Sequence, residues 1–148
     1  MKDTTGYYGD IAIVGIFPNG DGGESDWTPI SGSIHYLMVN SHPVDLSKYL
    51  FDLTPGDLDT WNWDDAPGFS GTIKAINIGM DARKDGEGTK SFEIVVGTTG
   101  TEAHSDEFFV SDLTPEYYEM GLETDPATGV AWTLAGFNAK EFGIKLIQ

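Results

Sequence analysis

The chain has 148 residues and no cysteine, so one domain with a sizeable core fits, and disulfides and thiolate metal sites are excluded. Asp and Glu number 24 against 8 Lys and Arg, a net charge of −16 that repels phosphate backbones, so nucleic acid is not an expected partner. Aromatic residues make up 12%, too many for a disordered acidic segment. The apolar runs are short and interrupted, and neither a signal peptide nor membrane insertion is expected.

In chain order, residues 1–9 read as an N-terminal arm and 10–148 as a single domain. "DIAIVGIF" (10–17) predicts a strand that "PNGDGGESD" stops, and "SIHYLMV" (33–39) predicts a second. "SKYLFDL" (47–53) alternates, with Tyr49, Phe51 and Leu53 on one face. "TIKAINIGMDA" (72–82) sets Ile76, Ile78 and Met80 opposite Ala75 and Asn77. "SFEIVVG" (91–97) follows across "RKDGEGT", which reads as a hairpin loop. "EFFV" (107–110), "YYEMGLE" (117–123) and "EFGIKLI" (141–147) complete the strands. The pattern predicts an all-β, antiparallel β-sandwich, jelly-roll-like, with one short helix before the last strand. Less than about a tenth of the chain should be helical, against roughly a third in ordinary soluble domains. Residues 52–71 read as the longest irregular connection, where partner contacts tend to sit.

Chemistry-bearing clusters are weak. Asp21, Glu24 and Asp26 crowd one turn, and Asp57, Asp59, Asp64 and Asp65 another, but neither has the spacing of a calcium loop. His35, His42 and His104 show no paired zinc spacing, and no serine sits in a nucleophile elbow. No catalysis, metal or cofactor is expected. Trp27, Trp61, Trp63 and Trp132, with Tyr7, Tyr8, Tyr117 and Tyr118, could stack on sugars or fill the core. Trp61 and Trp63 flank one Asn and are expected not both to point inward. With Asp64 and Asp65 they are the candidate partner- or glycan-binding residues.

The closing stretch reads as a rigid corner. In "DPATG", Asp125 starts a polar turn, Pro126 follows and Gly129 ends it. Trp132 is the expected anchor, Thr133 the expected N-cap of one helical turn, and Asn138 its exit. Phe142, Ile144 and Leu146 share one face of the last strand.

Three stretches in this order resemble a family of tailed-bacteriophage and prophage virion proteins. They are "GYYGDIAIVGIFPNGDGGESDWTPISGSIHYLMVN", "IKAINIGMDARKDGEGTKSFEIVV" and "ETDPATGVAWTLAGFNAKEFGIKL", spanning Gly6 to Leu146. Residues 41–66 depart from that family's Asp-rich segment. The resemblance implies a non-enzymatic structural protein on the particle exterior (head decoration, collar, or tail-associated or fibre component), made in the host cytoplasm. It implies other virion proteins as partners, with the chain acting as a homo-oligomer or bound to a capsid or tail protein. Some longer members carry a further sandwich, so the chain is either a stand-alone version or one domain of a longer protein. The alternative is a carbohydrate-binding module that recognises host surface glycan through exposed Trp residues.

Overall fold

Short segments punctuated by Gly and Pro form strands that need neighbours, and the sheets are assembled from pairs distant in sequence. A computed structural model describes residues 13–68, 72–97 and 100–148. The expected arm, the first three residues of the 10–17 strand, Tyr7 and Tyr8 lie outside the described residues. The elements are β1 (Pro18–Ser25), β2 (Thr28–Pro29), α1 (Tyr36–Val39), β3 (Leu50–Phe51), β4 (Leu58–Trp63), β5 (Ile76–Ala82) and β6 (Lys90–Val96). They continue with β7 (Ala103–His104), β8 (Phe108–Val110), β9 (Glu116–Leu122), α2 (Leu134–Asn138) and β10 (Phe142–Leu146).

The main sheet runs β1–β4–β10–β6, and the far edge of β6 is shared by β8 and β7. Every pairing in it is antiparallel. β6 is buried on both faces, with Phe92, Ile94 and Val96 on one and Ser91 and Val95 on the other, so it takes a place inside the sheet. A second layer is the ribbon β5–β9, in register from Ile76 opposite Leu122 to Ala82 opposite Glu116. Its inner side chains meet the main sheet: Tyr118 presents a ring edge to Phe92 at 5.1 Å, and Ile78 is buried. A short third pair joins β2 to β3. The fold is an all-β antiparallel sandwich, and the two helices among the described residues have four and five residues. Each large apolar side chain buried between the layers contributes about 1.5–3 kcal/mol.

Several expected elements differ. Residues 13–17 form no strand; the strand follows, over the Pro and Gly residues expected to stop it. Pro18 sits at the first position of an edge strand, where its missing N–H costs no ladder bond. A Cβ on Gly22 would meet Thr60 Oγ1 and a Thr60 backbone carbon, so glycine permits β1 to approach β4. Within 33–39 the chain turns into α1 rather than a strand, and of 47–53 only Leu50 and Phe51 pair. The loop over 83–89 is no hairpin, because β5 pairs with β9 in one layer and β6 lies in the other. The expected irregular connection over 52–71, of which 69–71 lie outside the described residues, contains β4, an interior strand of the main sheet.

Gly143 marks the tightest point of that sheet. It lies between Thr60 of β4 and Val95 of β6, and a Cβ there would reach 2.0 Å from the Asp59 carbonyl oxygen and 2.8 Å from Thr60 Cα. Backbone cannot swing aside as a flexible side chain does, so β10 and β4 would have to separate. Gly143→Ala is therefore expected to cost about 1–3 kcal/mol in a urea melt, the scale of overpacking in a close-packed interior. Gly68→Ala, which meets nothing within 4 Å, is the control and should change stability little.

Candidate functional site

β4 carries the residues expected to face a partner, and its two-residue period decides where they point. Asp59, Trp61 and Trp63 share one face, and that face is the inner one. Trp61 is 5% exposed. Trp63 is half-buried, its ring edge-on to Phe142 at 5.5 Å. The expectation that the two rings do not both point inward is thus corrected: residues two apart on a strand cannot point to opposite faces. Asp64 and Asp65 are exposed where β4 ends. Asp64 accepts from Asn19 Nδ2 at 3.0 Å, and its own N–H donates to the Phe17 carbonyl at 3.1 Å.

The same face holds a pair that periodicity hid. Asp59 is fully buried, and its Oδ2 lies 2.6 Å from Nδ1 of His35, itself buried at the start of α1. The backbone N–H of Trp27 also donates to that oxygen, at 3.3 Å. Next to it, Tyr36 N–H donates to Asp21 Oδ1 at 2.7 Å, and Asp26 Oδ2 accepts from Leu58 N–H at 3.2 Å. Burial pushes the Asp59 carboxyl up to about 6, against the opposing pull of His35 and the Trp27 N–H. Among the described residues Asp59 Oδ1 has no partner at hydrogen-bond distance, though the Trp61 indole is near enough to favour the carboxylate. A histidine inside an apolar run was the one sequence signal for this pair.

Other polar side chains are also committed to the fold. On the outer face of β4, Thr60 Oγ1 donates to Glu141 Oε2 at 2.7 Å, and Gly23 N–H donates to the same oxygen at 2.9 Å. His104 Nδ1 lies 2.8 Å from Glu93 Oε2, and the His42 ring stacks on Phe17. Among the described residues no group of three or more His, Cys, Asp or Glu is placed to hold a metal ion. Nor, among them, is any helix long and apolar enough to cross a membrane.

The corner residues meet at one end of the ribbon. Asp125 Oδ1 accepts from Ala127 N–H at 2.9 Å and lies 3.3 Å from Lys140 Nζ. Its carbonyl takes the Gly129 N–H at 2.7 Å, and Gly129 holds φ +70°, which suits glycine. Pro126, half-buried, follows Asp125 in this turn. Trp132 is 3% exposed and donates Nε1–H to the Leu122 carbonyl at 3.2 Å. Thr133 caps α2, its Oγ1 accepting from Gly136 N–H at 2.9 Å.

One surface has no such closure. A cleft of about 2080 Å³ opens between the inner face of the main sheet and β5, bordered by residues 13–18 and 41–53. Exposed apolar side chains crowd its rim, among them Ile13, Val14, Phe17, Val44, Leu46 and Leu53. Lys48, Lys74, Arg83, Lys84 and Lys90 line it together with Asp45, Asp52, Asp81, Asp85 and Glu87. Five of the chain's 8 basic residues thus balance five acids here, while the whole chain carries −16. Compared with protein-family models, curated proteins and solved structures, the chain matches none of them.

Proposed function

We propose that this domain is a non-enzymatic structural protein on the exterior of a tailed-bacteriophage particle, held there by contacts with other virion proteins. The observation that carries the reading is the rim of exposed apolar side chains around a locally neutral cleft in a strongly acidic domain. Contiguous exposed apolar surface of this kind favours a covering partner over bulk water. The −16 charge suits a solvent-facing position and would repel packaged DNA from an interior one. The resemblance of the three ordered stretches supplies the particle. Trp61 and Trp63 line the floor of that cleft rather than its exposed rim, one buried and the other packed on Phe142.

Leu46 and Leu53 are 64% and 77% exposed, so replacing them leaves the core intact. The variant Leu46→Ser with Leu53→Ser should keep the wild-type circular dichroism spectrum and lose incorporation into particles. Labelled antibody on intact particles should find the wild-type protein outside. Absence of the protein from purified particles would overturn the reading, and saturable glycan binding by a monomer would favour the carbohydrate-binding alternative.

A further inference from the structure

The two-residue period of β5 and β9 gives their ribbon an open outer face. Asn77 and Gly79 of β5 and Tyr117, Glu119 and Gly121 of β9 all point outward and are exposed. The pairing sets Asn77 opposite Gly121 and Gly79 opposite Glu119. Tyr117 reaches diagonally across the pair. A Cβ on Gly79 would come within 2.6 Å of Tyr117 Cζ and 2.7 Å of its Cε2, so the phenol ring lies across the glycine backbone. Covering a strand glycine in this way steadies the ribbon and uses one side of the ring. The residue stays 60% exposed, which leaves aromatic surface facing water beside hydrogen-bonding groups.

Those groups are fixed and chemically mixed. Asn77 Nδ2 donates to Glu119 Oε2 at 2.9 Å, along the next diagonal of the same face. Among the described residues nothing else takes the second amide hydrogen, Asn77 Oδ1 or the second Glu119 oxygen. Beyond this pair Gly121 carries no side chain, and the surface opens into a pocket of about 380 Å³ lined by Glu119, Gly121, Asp106 and Phe108 among others. Small ligands are held in pockets of roughly 300–1,000 Å³, so the space suits one. An extended strand covers about 13 Å from residue 117 to residue 121, so ring, polar pair and pocket lie in a row.

This chemistry selects a ligand. A cation would need acceptors alone, whereas here an amide donor stands beside the carboxylate. An anion would be repelled by Glu119 and Asp106 and by the −16 charge of the chain. A sugar hydroxyl both donates and accepts, and the C–H face of a sugar ring stacks on an aromatic one. We propose that this face binds a short neutral oligosaccharide, with one ring stacked on Tyr117, its hydroxyls held by Glu119 and Asn77, and the next ring in the pocket at Gly121. The proposal goes beyond the particle reading: Glu119 and Gly121 do not line the apolar-rimmed cleft, so a domain held through Leu46 and Leu53 still presents them.

An NMR titration of the isotope-labelled chain with cellohexaose, maltohexaose and chitohexaose tests it. At least one of the three should give saturable shifts of the Gly79, Glu119 and Gly121 amides and of the Asn77 side-chain amide. Tyr117→Ala and Glu119→Ala, at exposed positions, should each weaken that binding about tenfold and leave the circular dichroism spectrum unchanged. Tyr117→Phe keeps the ring and should bind nearly as the wild type does. The absence of saturable shifts with all three sugars, shifts confined to residues away from this face, or undiminished binding by Tyr117→Ala would each overturn the proposal. Polylysine binding at this face while no sugar binds would assign it to a basic partner instead. Sugar binding by a protein that also enters particles leaves both readings standing. Sugar binding by a protein absent from particles keeps this site and removes the particle reading, and incorporation without sugar binding does the reverse.

Discussion

Trp132→Ala is expected to cost about 3–5 kcal/mol, the range for truncating a buried large aromatic. Its ring stands edge-on to Phe137 at 6.4 Å, and Phe137 packs on Phe142 at 5.6 Å. The indole thus joins β9, α2 and β10 where the two layers meet. Truncation would open a void at that junction and leave the Leu122 carbonyl without the Nε1–H that now reaches it at 3.2 Å. Thr133→Ala removes only the cap bond to Gly136 N–H and should cost about 1 kcal/mol. Val130, 61% exposed in the same turn, is the control: Val130→Ala should stay within about 0.5 kcal/mol of wild type. Urea melts of the three variants check the order. A Trp132→Ala curve that overlays the wild type would show that the corner is not anchored by its indole.

The elements legible in the sequence were those whose alternation matched their burial. In β5, Ile78 is buried between exposed Asn77 and Gly79, and the strand lies within the range that spacing predicts. Illegible elements broke the pattern for identifiable reasons. β1 is built of Pro, Gly, Asp and Glu because an edge strand with register shifts needs close backbone approach more than apolar side chains. β4 hides its period because one of its inward positions is Asp59, tolerated through His35 and the Trp27 N–H, both remote in sequence. Four apolar residues after His35 fit a strand or a helical turn equally, and only tertiary packing chooses. The pairing of β5 with β9 rather than β6 follows from β6 being buried on both faces, a demand that one sequence stretch does not reveal. For the candidate site, residue types were visible but faces were not: Trp61 and Trp63 drew attention as aromatics, whereas the cleft depends on which edge of β5 has no strand partner among the described residues.

His35→Ala should be as damaging as the loss of Trp132, and its cost should depend on pH. Removing one partner of a buried pair leaves the other charge uncompensated, at about 3–5 kcal/mol. Here the orphan would be Asp59, fully buried, left with the Trp27 N–H and the neighbouring Trp61 indole as the groups that favour its charge. The carboxyl is raised from 3.8 to about 6 in the folded protein, with burial the leading cause. Because the folded value lies above the unfolded one, the stability that Asp59 contributes is complete below about pH 4 and is lost as pH rises through about 6. His35 opposes that loss by favouring the carboxylate, so deleting it moves the folded value further up. The penalty of His35→Ala should accordingly be small near pH 4–5, where the carboxyl is protonated in both proteins, and grow toward pH 8. Asp59→Asn combined with His35→Ala removes the charge as well as its partner and should flatten that growth. Thermal or urea melts of wild type, single and double variants at several pH values provide the measurement. A His35→Ala penalty that does not rise with pH would mean that Asp59 reaches water or another donor, and that His35 fastens α1 to β4 by packing alone.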